Sequence, residues 1–193
     1  LSGIKQGDRV LDICAGTGEL TRILAKAVGR EGSVIATDYC ENMLDLAREK
    51  MRGNHPNVAF QFADATQPPF PDNTFDAVTV AFGMRNIPDT VRALQEACRV
   101  LKPGGTFLCV ELTRPRNRFL LALYEWYSFR VMPFVSKLIM KTAEPFTYLP
   151  RSIETYYDPP AFRELLLKNG FSDVRVQSMT LGIATAYCAR KSG

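Results

Sequence analysis

Three aspartates, Asp12, Asp38 and Asp64, each end or follow a short apolar run, and a Gly-x-Gly pair, Gly16 and Gly18, follows the first. A turn of small residues lets backbone approach a polar ligand closely, because glycine has no Cβ and tolerates unusual dihedrals. The spacing stops short of a dinucleotide fingerprint, which would want a third glycine where Thr21 stands. A carboxylate at Asp12 is unfavourable beside a pyrophosphate and favourable beside a cation. Asp38 lies one helix beyond the glycines, where a carboxylate accepts both hydroxyls of a ribose; capping the next helix is its alternative role. Asp64 is placed to take the exocyclic amine of an adenine, with the Ala65 N–H for a ring nitrogen. Its alternative is an Asx turn that opens the loop. Together these residues describe a site for a charged nucleoside without phosphate, against the alternative of a plain strand-to-helix turn that binds nothing.

A second group follows the fourth apolar run, DAVTVAF, where Gly83, Met84, Arg85 and Asn86 occupy the strand end at which an α/β sheet places its chemistry. Arginine stays protonated in proteins, so Arg85 offers a fixed cation and not a base. A structural ion pair is the competing role. Glu111 stands near the exit of the next strand, on the same edge as Asp12, Asp38 and Arg85. The single histidine, His55, lies in a turn and takes no role. The five cysteines have no CxxC or metal-ligand spacing, so no metal is expected and the thiols read as reduced, in a cytosolic setting.

The elements that must position these groups alternate regularly. Strands are expected over the apolar run at Val10–Ile13 and over Ser33–Asp38, Val58–Phe62, Asp76–Ala81 and Thr106–Leu112. Helices are expected over Glu19–Ala27 (with Leu20, Ile23, Leu24 and Ala27 on one side), Tyr39–Lys50 and Asp89–Leu101. Crossovers this short imply an α/β, Rossmann-like doubly wound sheet with helices on both faces. LKPGG stops the third helix and turns the chain. Near the C-terminus, a helix over Pro160–Asn169 precedes strands at Val174–Met179 and Ile183–Arg190, whose tight connection makes them antiparallel and breaks the parallel order. Phe70 and Phe75 read as anchors that fasten the loop before the fourth strand to the core.

With 193 residues, 46% hydrophobic and 23% charged, the chain reads as one globular domain over 1–193. The net charge of +4 is too weak to imply nucleic acid. It is also uneven: between Arg114 and Lys141 six basic residues face the single acid Glu125. Within it Arg118–Lys141 is helical and aromatic in pattern, with a break near Pro133. It reads as a substrate lid, as a dimer or membrane contact, or as core packing. Arg130 and Lys137 within it exclude a spanning helix, and a basic excess on an apolar helix is unlike a nucleic-acid groove.

VLDICAGTGELT, PFPDNTFDAVTVAFGMRNIPD, RVLKPGG with FLCVEL, and EPFTYLPRSI with the later GF and LGIA together resemble the class I S-adenosyl-L-methionine-dependent methyltransferases. The more specific resemblance is to the C-methyltransferases of menaquinone and ubiquinone biosynthesis, and it rests on FGMRN and YLPRSI. It implies that Asp12, Gly16, Thr17 and Gly18 form the loop at the methionine end of the cofactor. Asp38 would hold the ribose, and Asp64 and Ala65 the adenine. Arg85 and Asn86 would face a polyprenylated quinol, with Glu111, Tyr127 and Tyr148 as candidates for a proton path. It also implies transient peripheral contact with the inner face of a membrane, a homodimer or a quinone-synthesis complex, and a cytoplasmic location, organellar in a eukaryote. Segment 114–150 would be the helical insertion covering the substrate. Cys14 and Ala15 stand where the family often has a glycine. Family members also begin with a helical segment before the first strand, which the sequence as it opens at Leu1 lacks.

Overall fold

The computed structural model describes residues 3–115, 117–119, 121–122 and 152–193. Five parallel strands come first: β1 (Arg9–Ile13), β2 (Ser33–Asp38), β3 (Val58–Phe62), β4 (Phe75–Ala81) and β5 (Leu101–Leu112). Helices α1 (Glu19–Val28), α2 (Glu41–Met51) and α3 (Thr90–Val100) alternate with them, and α4 (Pro159–Lys168) precedes β6 (Phe171–Met179) and β7 (Ala184–Lys191). The sheet order is β3-β2-β1-β4-β5-β7-β6, with β7 antiparallel to both of its neighbours. The chain therefore leaves β1 first in one direction and then in the other. That reversal opens a crevice beyond the C-terminal ends of β1 and β4, where open α/β sheets bind ligands.

Alternation along the strands divides the core between two faces. Val10, Val34 and Ala77 pack beneath Leu24, Ala25 and Val28 of α1. Leu11, Val78, Val80 and Phe107 pack on the other face with Leu94, Ala97 and Val100 of α3 and Phe162 and Leu166 of α4. Each such aliphatic or aromatic side chain contributes about 1.5–3 kcal/mol when fully buried. Phe70 meets Phe75 edge-on at 5.2 Å, so the loop before β4 is anchored to the core by its aromatics.

Three details depart from the sequence reading. The inward face of α1 is Thr21, Leu24, Ala25 and Val28, while Ile23 is exposed, so the helix is rotated by one residue. Thr21 turns inward because its hydroxyl has a buried partner, Asp12. Lys102–Gly105 is not a turn ahead of β5 but an excursion within it: Phe75 pairs with Leu101, whereas Ala77 pairs with Thr106. β6 begins at Phe171, earlier than the apolar pattern indicates, because a register shift between Ser172 and Arg175 interrupts the alternation. Apart from its first residues, the insertion expected over 114–150 lies outside the described residues, as do Tyr127 and Tyr148.

Candidate active site

Asp12 points to the α1 face of β1 and is fully buried. The β1–β4 register sets it opposite Thr79, whose hydroxyl donates to Oδ1 at 2.7 Å, and Thr21 of α1 donates to Oδ2 at 2.6 Å. Both carboxylate oxygens are thus held by neutral donors. Burial pushes this acid up to about 6; the two hydroxyl bonds oppose the rise, and nearby Asp38 adds to it. The chain then turns through Cys14, which adopts φ 54°, and Gly16 at φ 55°. Left-handed backbone is ordinary for glycine and costs a side-chain-bearing residue on the order of 1–2 kcal/mol. Gly18, at φ 81°, caps α1 and lies against α2: a Cβ there would come within 3.2 Å of Ala47 and Met51.

Asp38 ties the tip of β2 to this turn. Its Oδ2 accepts from the Gly16 amide at 2.8 Å and its Oδ1 from the Cys40 amide at 2.9 Å. The residue at the N-cap of α2 is Cys40, not Asp38, and it makes no side-chain cap bond. Asp64 Oδ1 accepts from both the amide and the hydroxyl of Thr66, each at 2.8 Å, so the Asx turn is present. Gly16, Asp38, Asp64, Ala65 and Asn86 come together around one cavity of about 730 Å³. A smaller one, of about 340 Å³, includes Asp12 and Thr17. Both are lined by Cys14, Ala15, Ala81 and Phe82. Gly83 lets the β1 and β4 loops meet there, since a Cβ on it would fall 2.4 Å from that of Cys14.

The field in this crevice is negative. The Cys14 thiol is pushed up to about 12, by burial first and then by Asp38, Asp12, Glu111 and Asp64. Among the described residues no Lys or Arg lines either cavity. That suits a cation and opposes a pyrophosphate.

Arg85 and Asn86, assigned together from the sequence, are separated by the structure. They share a single 3₁₀ turn, Met84–Asn86, but only Asn86 lines the large cavity. The Arg85 guanidinium turns back toward the sheet, where Nη1 meets Glu111 Oε1 at 2.6 Å and also donates to the Phe82 carbonyl. Its backbone amide donates to Glu111 Oε2 at 3.2 Å. The side chains of Arg85 and Glu111 are only 8% and 0% exposed, which makes this a desolvated ion pair. Sequence reasoning passed over Tyr39 and Met43, which line the cavity beside Asp38. Tyr39 was legible from its place directly after the β2 acid. Phe82, left-handed at φ 58°, had no signal, because its residue type does not favour that backbone.

A model of the ubiE/COQ5 methyltransferase family matches residues 1–191. The chain belongs to that family. It is 43% identical over 194 residues to the ubiquinone/menaquinone biosynthesis C-methyltransferase UbiE of Teredinibacter turnerae, covering 100% of this chain and 78% of that protein. The protein of the same name from Francisella tularensis subsp. novicida is 40% identical over 192 residues, covering 98% and 77%. The fold recurs in a SAM-dependent methyltransferase from Aquifex aeolicus, with TM-score 0.74 and 24% identity over 98% of this chain and 85% of that one. It recurs again in phosphoethanolamine N-methyltransferase 2 of Haemonchus contortus, in complex with S-adenosyl-L-methionine. There the TM-score is 0.73 and the identity 20%, over 98% of this chain and 50% of that one. These structural likenesses speak to the fold alone.

Proposed function

We propose that this family member transfers the methyl group of S-adenosyl-L-methionine to a ring carbon of a polyprenylated quinol in ubiquinone or menaquinone biosynthesis. The reading is carried by near-complete alignment of the chain with C-methyltransferases of that name. The negative crevice, which no Lys or Arg lines among the described residues, supports a sulfonium cofactor in particular. When bound, that cofactor supplies an activated methyl group; the net exchange of ring C–H for C–CH₃ releases S-adenosylhomocysteine and one proton.

In this reading Gly16, Thr17 and Gly18 accommodate the methionine end, and buried Asp12 favours its positive charge. Asp38 keeps lone pairs for the ribose hydroxyls beyond those engaged by Gly16 and Cys40. Asp64 Oδ2 and the Ala65 N–H take the adenine edge. Asn86 orients the acceptor from the cavity wall. Arg85 serves the acceptor through its pair with Glu111, which holds the 3₁₀ turn that carries Asn86 against the tip of β5.

Segment 114–150 is proposed as the cover over the acceptor and as the contact with the bilayer from which a polyprenyl substrate is drawn. Among the described residues no helix is long and apolar enough to cross a membrane. The test is transfer of labelled methyl to a panel of reduced demethylated quinols, against catechol and small amine acceptors. Methylation confined to the oxygen or nitrogen acceptors overturns the reading; a new C–CH₃ on a quinol ring upholds it.

A further inference from the structure

We propose that the cavity between the β5 exit, the β6–β7 hairpin and the start of α4 receives the phosphate of an anionic phospholipid headgroup, with the hairpin tip seated in the bilayer surface beside it. The inference rests on the quinol reading above only for the nearness of a bilayer. The cavity has a volume of about 460 Å³ and shares no lining residue with the two cavities of the cofactor crevice. Thr113 follows β5, and the hairpin joins the end of β6 to the start of β7, which runs antiparallel to both strands. The cavity therefore lies at the same edge of the sheet as the crevice.

Its charge is the reverse of the crevice's. Arg114 and Arg163 line it, and no Asp or Glu does. Arg163 is exposed on α4 and has no ion-pair partner among the described residues. Asp158, the acid just before α4, is outside the lining and accepts from the Ala161 amide at 2.8 Å. The floor is neutral and closed on itself. The buried Thr113 hydroxyl donates to the Gly182 carbonyl at 2.9 Å, so the 2.9 Å bond between Thr113 and Thr185 is donated by Thr185. Neither hydroxyl keeps a proton for a ligand. An anion in the cavity is therefore recognised by the guanidinium groups, whose planar forks match phosphate oxygens.

The hairpin adds an apolar half. Thr180 and Leu181 both hold left-handed backbone, at φ 48° and 57°. Such a turn favours Asn or Gly, and a β-branched or bulky residue in it is strained. Leu181 is nonetheless the residue at the tip, 76% exposed, with Met179 and Val176 exposed on the strand that leads to it. Leu181 and Val176 also line the cavity. A soluble phosphoester would need only the arginines. Apolar side chains directly beside them match a ligand whose charge and hydrocarbon are adjacent, which is a lipid at its interface. Docked in this way, the hairpin turns the C-terminal edge of the sheet toward the bilayer from which a polyprenyl acceptor is drawn.

The test is flotation with vesicles of phosphatidylcholine and phosphatidylglycerol, against phosphatidylcholine alone. The wild type should associate with the anionic vesicles only, and less at high salt. Arg163→Gln should lower that association about 5-fold. Leu181→Gly should lower it about 10-fold with Tm unchanged or higher, because glycine relieves the left-handed strain. A wild type that ignores anionic vesicles overturns the inference. So does association unaltered in both variants, which would leave segment 114–150 as the contact. Protection of the wild type against thermal unfolding by glycerol phosphate, without vesicle association, marks a site for a soluble phosphoester and also overturns it. Flotation uses no turnover, so the two readings fail separately: vesicle association with these variant effects, in a wild type that methylates no quinol, overturns the quinol reading and upholds the headgroup site.

Discussion

At the N-terminal edge of the sheet, Asp76 accepts from the Lys102 ammonium at 2.6 Å and from the Arg9 amide. Lys102 and Asp76 remain 45% and 31% exposed, so water shares the work of solvating them. At the C-terminal edge, Asp12 and Glu111 are wholly buried, and Cys14 and Phe82 hold left-handed backbone. The two edges contain similar residue types in different solvents. Charge at the wet edge is inexpensive and does little. Charge at the dry edge destabilises the fold unless paired, but there it generates a negative field that suits a cation.

The sharpest way to break this contrast is to remove one partner from the ion pair at each edge in turn. Glu111→Ala leaves the Arg85 guanidinium buried without its carboxylate, and a loss of about 3–5 kcal/mol is expected in denaturant unfolding. Lys102→Ala, which breaks the exposed pair at the other edge, should cost no more than about 1 kcal/mol. Similar losses for the two variants would mean that the edges do not differ as described.

Asp12 tests the dry edge by pH. Its folded-state pKa is raised from 3.8 to about 6, so the native protein holds this proton more tightly than the unfolded chain does. The resulting stabilisation is fully present below the unfolded value and is lost as pH rises through about 6. The loss should be about 2–3 kcal/mol between pH 4 and 7. Asp12→Asn should abolish that part of the slope and be about 1–2 kcal/mol more stable than wild type at pH 7, while binding S-adenosyl-L-methionine more weakly. Paired unfolding titrations at the two pH values check the first expectation, and calorimetry checks the second. A variant that is less stable at pH 7 would place the strain elsewhere.

Cys14→Gly probes backbone and not charge. At φ 54° the side chain is strained, and glycine relieves that strain while adding some unfolded-state entropy. The net expectation is a gain of about 0.5–1 kcal/mol, read as a higher Tm. The same change at Cys188, buried in β7, should destabilise instead.

Most of the architecture was legible because it is local. Apolar period, glycine placement and chain turns specify strands and helices within a few residues, and the short crossovers leave a doubly wound sheet as the outcome. The acids at the strand tips were legible for the same reason: a residue ending a parallel strand lies at the crevice wherever the strand goes. Tertiary structure alone decided what those side chains touch. The inward turn of Thr21 came from a partner on another element, and the Asp12 oxygens were closed by a register that sets Thr79 opposite. Arg85 was separated from the cavity because adjacency of β4 and β5 offered it Glu111, 26 residues away in sequence. That the buried Arg85 Nε and Tyr156 hydroxyl meet no hydrogen-bond partner could not be read from sequence, since a missing partner is a property of everything packed around an atom. Periodicity encodes which way a residue faces; only the assembled fold determines whether the group it meets is water, a hydroxyl or an opposite charge.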